Sequence, residues 1–177
     1  MASAPHVPAQ VTIVTGPIHS GKTTRLSAWI AEQQAAGVRI DGVLAPIVDG
    51  RRHLRSIADD SSRCLELAPG EDPPAADEVR IGPHRFSAAV FAWARELLIA
   101  AVDPAAERRP QLIVIDEIGP LELRGEGLEP AVSRVLASRE SSASVRLILV
   151  VREGLVDRVI EHYRLGSVCE VASDMPG

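Results

Sequence analysis

The chain has 177 residues, 46% of them apolar, with a formal net charge of -5. This apolar content supports one core of ordinary domain size, while an acidic balance with scattered arginines offers no basic face for nucleic acid. Arg95 and Glu96 interrupt the longest apolar run, so no membrane span is expected, and residues 1–10 lack the charged and apolar regions of a secretory signal.

We therefore expect a cytoplasmic protein, with a flexible N-terminus over residues 1–10 and a single domain over 11–173. Residues 11–15 read as a buried strand. The loop that follows, Gly16-Pro17-Ile18-His19-Ser20-Gly21-Lys22-Thr23, fits G-x-x-x-x-G-K-[ST], the pattern that wraps nucleotide phosphates. Lys22 is the only lysine in the chain, every other Lys or Arg position being arginine. An ammonium acts as a compact point charge between β- and γ-phosphates, where a planar guanidinium would crowd the loop. Residues 23–36 read as a helix, completing the strand–loop–helix context. Together with Thr24, the loop residues are the expected nucleotide-binding set. His19 is counted among them only as a neighbour of the phosphates.

Residues 38–48 are rich in β-formers, with Pro46 suggesting an edge position. Asp49-Gly50 suits a hairpin turn, with returning strands at 53–58 and 64–67. This hairpin reads as an addition to the core, its Arg51, Arg52 and Arg55 forming a solvated face. Residues 69–83, with four prolines, read as an exposed loop. Ser87 is the expected N-cap of a helix reaching residue 101, with Phe91, Ala94, Leu97, Leu98 and Ala101 on its apolar face. Leu112-Ile113-Val114-Ile115 is a continuous apolar run of the kind found in a central parallel strand. Beyond it we expect helices at 127–138 and 155–163 and strands at 145–151 and 168–172. Alternating strands and helices imply a mostly parallel α/β sheet covered on both faces. Cys64 and Cys169 have neither metal-ligand spacing nor a disulfide pattern.

The apolar run ends in Asp116-Glu117, a Walker B pattern that sets Asp116 at the carboxyl end of a strand, where α/β sheets bind ligands. Asp116 and the Thr23 hydroxyl are the expected Mg²⁺ holders. Glu117 can orient or deprotonate an attacking water, so Glu117 and Lys22 are the expected catalytic residues. Phosphoryl transfer also favours a further cation; Arg152, directly after a strand, and Arg124, in the loop after Asp116-Glu117, are the candidates.

Thr15-Gly16 through Gly21-Lys22-Thr23-Thr24, with Asp116-Glu117-Ile118-Gly119 and Leu121-Glu122-Leu123, resembles the small nucleoside-triphosphatase family of thermophile and human cancer-related NTPase type. The order of elements agrees over nearly the whole chain. The resemblance implies a three-layer, RecA-like fold with an added β-hairpin, and Mg²⁺-dependent hydrolysis of several nucleoside triphosphates to diphosphate and phosphate. Pro120 and Leu121 stand where that family carries Lys-Met, and the final residues lack its Asn-Arg pair. Two other functions share the phosphate loop: a small-molecule kinase and a nucleotide-dependent regulatory switch. Glu117 favours hydrolysis over both. A guanine-specific GTPase is not expected, since its base lock needs asparagine and a second lysine, and the chain has neither. A protein partner is left open.

Overall fold

The computed structural model describes residues 10–17, 21–71, 77–107, 109–138, 145–166, 168–173 and 175. Residues 1–9 of the expected flexible segment lie outside them, as do Ile18, His19 and Ser20 of the phosphate loop. The principal sheet contains β1 (Val11–Val14), β2 (Ile40–Leu44), β3 (Ile47–Val48), β4 (Arg51–Ser56), β5 (Ser62–Cys64), β8 (Leu112–Ile118), β9 (Arg146–Val151) and β10 (Cys169–Ala172). Between them run β6 (Glu78–Ile81), β7 (His84–Ser87), and the helices α1 (Lys22–Ala35), α2 (Ala88–Ala101), α3 (Ala131–Ser138) and α4 (Val156–His162).

The strand order is β10-β1-β9-β8-β2-β4-β3, with β5 paired to β4. The five strands from β10 to β2 are mutually parallel, and β3, β4 and β5 extend them antiparallel. Because strand side chains alternate in direction, the central strands feed two separate cores. Ile13, Ile113, Ile115, Leu147 and Leu149 pack with α2, α3 and α4 on one face. Val14, Leu112, Val114, Ile148 and Val150 meet Leu26 and Ile30 of α1 on the other. The result is a three-layer α/β arrangement, the sheet covered on both faces as the alternation of strands and helices implies. No helix among the described residues is long and apolar enough to cross a membrane.

The region read as a simple hairpin addition is more integrated than expected. β2 pairs with β8 in parallel register, Ile40 against Leu112 and Val43 against Ile115, so it belongs to the core sheet. The expected strand over 38–48 breaks at Ala45-Pro46, and only its end, β3, forms the edge. Asp49 (φ 50) and Gly50 (φ 76) make the turn into β4, as primed hairpin turns require.

Two boundaries also shift. The segment read as a loop over 69–83 contains β6, which pairs with β7 across Gly82-Pro83; residues 72–76 lie outside the described set. The helix expected from residue 127 starts at Ala131, because Glu122–Arg124 forms a short 3-10 turn and Pro130 precedes the first helical turn. Ser87 caps α2 as expected, its side chain accepting a hydrogen bond from Val90 N.

Candidate active site

A cleft of roughly 790 Å³ opens at the carboxyl ends of β1, β8 and β9. Its floor is the start of α1. Gly21 takes the N-cap position with no side-chain cap, and the first turn carries no acidic residue. An uncapped helix start of this kind favours an anionic ligand. The Thr15 hydroxyl donates to Val151 O at 3.1 Å, tying the loop entrance to the end of β9.

Lys22 is only 9% exposed. Its Nζ donates to Gly16 O at 2.8 Å and Pro17 O at 2.6 Å, so the ammonium holds together the loop it belongs to. Gly16, Gly21, Lys22, Thr23 and Thr24 all line the cleft. Ile18, His19 and Ser20 lie outside the described residues.

Thr23 and Asp116 meet across the cleft floor, Thr23 Oγ1 donating to Asp116 Oδ2 at 2.8 Å. Ala45 N donates to the same oxygen at 3.2 Å. Asp116 is 2% exposed, and its Oδ1 has no hydrogen-bond partner among the described residues. Burial pushes its carboxyl up to about 6; the bonds from Thr23 and Ala45 oppose the shift, and the neighbouring Glu117 charge adds to it. A buried oxygen without a partner, beside a threonine hydroxyl, is a hard-donor set that fits Mg²⁺. That ion is commonly held by one or two protein oxygens, its remaining positions going to phosphate and water.

Successive residues of a regular strand face opposite ways, yet Asp116 and Glu117 both line the cleft. The register between β8 and β9 shifts between Asp116 and Ile118, which allows it. Glu117 Oε1 accepts from Arg152 Nη2 at 2.8 Å and from Arg52 Nη1 at 3.5 Å. Its Oε2 has no partner among the described residues. Arg152 thus emerges from β9 beside Glu117. Arg124 does not line the cleft; it pairs with Glu126 at 3.1 Å on the surface.

Arg52 corrects the expected solvated face on the hairpin. Arg55 does lie outward, paired with Asp60, and Arg51 bonds Glu66 O and Glu71. Arg52 instead turns into the cleft. The signal was present in β4, where Arg52 shares its side with the buried Leu54 and Ser56.

Glu122 is only 3% exposed and lies behind the loop. Its Oε2 accepts from Gly119 N at 2.9 Å and its Oε1 from Leu128 N at 3.0 Å. Burial raises its carboxyl above the usual carboxylate range despite those bonds. With both oxygens committed to backbone, Glu122 braces the loop after β8.

Fold and cleft together define a phosphate-loop protein whose Gly16, Gly21 and Lys22 meet Asp116 and Glu117 at the end of a parallel sheet. The chain belongs to the NTPase family, whose model matches residues 11–174. It is therefore a nucleoside-triphosphate phosphohydrolase. Its fold is similar to that of a human cancer-related nucleoside triphosphatase, with 22% identity and a TM-score of 0.66 over 92% of this chain and 87% of that one. It is likewise similar to THEP1 from the hyperthermophile Aquifex aeolicus, with 18% identity and a TM-score of 0.66 over 94% and 90% of the two chains. At these identities the likeness concerns fold alone. No curated protein sequence matches the chain.

Proposed function

We propose that the chain hydrolyses purine and pyrimidine nucleoside triphosphates alike, in the cytoplasm, to diphosphate and phosphate with Mg²⁺. The observation that carries this reading is the Thr23–Asp116 pair adjoining Glu117, each carboxylate having one oxygen with no partner among the described residues. Bound Mg²⁺, held by Thr23 and Asp116, would supply charge neutralisation at the phosphate oxygens. Lys22 exchanges the Gly16 and Pro17 carbonyls for phosphate oxygens. Glu117 orients a water and takes its proton while the water oxygen bonds to the γ-phosphorus. The bond from that phosphorus to the β–γ bridging oxygen breaks, leaving the diphosphate. Arg152 contributes positive charge beside the reacting groups.

Phosphate release from ATP, GTP, CTP and UTP tests this directly. Rates should agree within about tenfold, or about 1.4 kcal/mol of barrier. Glu117→Gln should lower kcat by roughly a hundredfold or more while binding of a non-hydrolysable triphosphate with Mg²⁺ stays nearly unchanged. Wild-type hydrolysis by that variant would remove Glu117 from the mechanism. Tight binding without hydrolysis by the wild-type protein would instead make the chain a nucleotide-dependent switch.

A further inference from the structure

Arg52 is separated from Glu117 by sixty-five residues, yet its guanidinium lies against that carboxylate. It arrives there because β4 runs past the end of β2: the β2–β4 pairing covers only Val43 with Ser56 and Leu44 with Arg55. The part of β4 nearer its start, including Arg52, is thereby carried over the cleft. Its backbone is pinned in place. Arg52 N donates to Glu66 Oε2 at 3.2 Å, and Arg52 O accepts from Leu65 N at 2.9 Å and Glu66 N at 3.0 Å.

Two guanidinium groups therefore reach Glu117 from different parts of the fold, Arg152 from the end of β9 and Arg52 from the antiparallel extension. Both contact Oε1. A carboxylate held by one oxygen loses much of its rotational freedom, and its other oxygen is presented in a fixed direction. Among the described residues, the Arg52 guanidinium forms no hydrogen bond or ion pair with any group other than Glu117.

The geometry points to Arg52 as a positioning residue for hydrolysis: with Arg152 it anchors Glu117 through Oε1, so that Oε2 faces the attacking water. The inference rests on the role proposed above for Glu117. It also gives the β3–β4 extension a part in the reaction, since that extension supplies one half of the anchor. A small misplacement of a reacting group can cost orders of magnitude in rate, which makes the contact measurable.

The test is a double-mutant cycle. Arg52→Met keeps most of the side-chain stem and removes the donor. It should lower kcat about tenfold to a hundredfold while the Kd of a non-hydrolysable triphosphate with Mg²⁺ changes less than about twofold. In a Glu117→Gln background the same change should cost less than about twofold further in kcat, because the group it positions no longer takes a proton. A multiplicative loss, or a Kd weakened in step with kcat, would assign Arg52 to the phosphates themselves and overturn the inference. A slow Glu117→Gln beside a wild-type-like Arg52→Met would overturn the inference alone; a fast Glu117→Gln would remove the role of Glu117 as well. Thermal unfolding checks each variant, and if Arg52→Met fails to fold, Arg52→Gln is read in the same cycle.

Discussion

The Lys22 ammonium donates to two carbonyls of its own loop, Gly16 O and Pro17 O. Under the proposed function, nucleotide binding exchanges these for phosphate oxygens, so one side chain would serve both the loop and its ligand. Lys22→Ala should bring turnover to background and also lower nucleotide-free stability by about 1 kcal/mol, a typical net value for lost hydrogen bonds. Phosphate release and urea unfolding measure the two effects separately; unchanged activity would show that the loop is not the phosphate site. That Lys22, Thr23, Asp116 and Glu117 meet at one cleft was legible in the sequence because the two motifs fix residue types at short, regular spacings. Arg52 was not, because an arginine in a hairpin carries no signature of its own. Only its place on the same side of β4 as Leu54 and Ser56 hinted that it turns inward.

At the scale of elements, two contacts hold the walls of the cleft in place. Gly42 of β2 has φ 124, and a Cβ built there would lie 1.9 Å from Val114 O. Backbone cannot yield as a flexible side chain can, so Gly42→Ala should cost about 3 kcal/mol or more by urea unfolding. A well-folded, equally stable variant would mean that β2 and β8 can separate without cost.

The loop after β8 depends in turn on Glu122, whose raised carboxyl gives a pH signature. The folded protein binds this proton more tightly than the unfolded chain. Its stabilising effect is therefore present below the ordinary glutamate range and is lost as pH rises through the raised folded value. Glu122→Gln removes the titration and turns one acceptor into a donor facing a backbone N–H, which should destabilise the protein by about 1–3 kcal/mol. The gap between wild type and variant should narrow as pH rises above the ordinary glutamate range; a widening gap would reverse the assigned shift. β1, α1, α2 and β8 were readable because apolar periodicity, and for α2 the Ser87 cap, act locally. The β6–β7 hairpin was hidden because prolines and charges around Glu78-Val79-Arg80-Ile81 masked a short alternation. The membership of β2 in the core sheet was hidden because strand neighbours depend on contacts distant in sequence.

Across the whole molecule, the parallel strands end at the cleft and the antiparallel extension brings Arg52 to it. The position of β1 has a consequence for the order in which these parts can form. β1 lies between β9 and β10, with Val11 opposite both Leu147 and Cys169. None of its partners exists while the chain is still short on the ribosome. The phosphate-loop sequence is synthesised among the first residues described, yet its supporting strand stays unpaired until β9 has emerged, since long-range pairing must await both participants. A ribosome-bound chain stalled before Arg146 should contain every loop residue and retain no nucleotide on a triphosphate-analogue resin, whereas release of the complete chain should restore retention. Capture of the stalled chain would show that the loop and α1 assemble without their neighbours in the sheet.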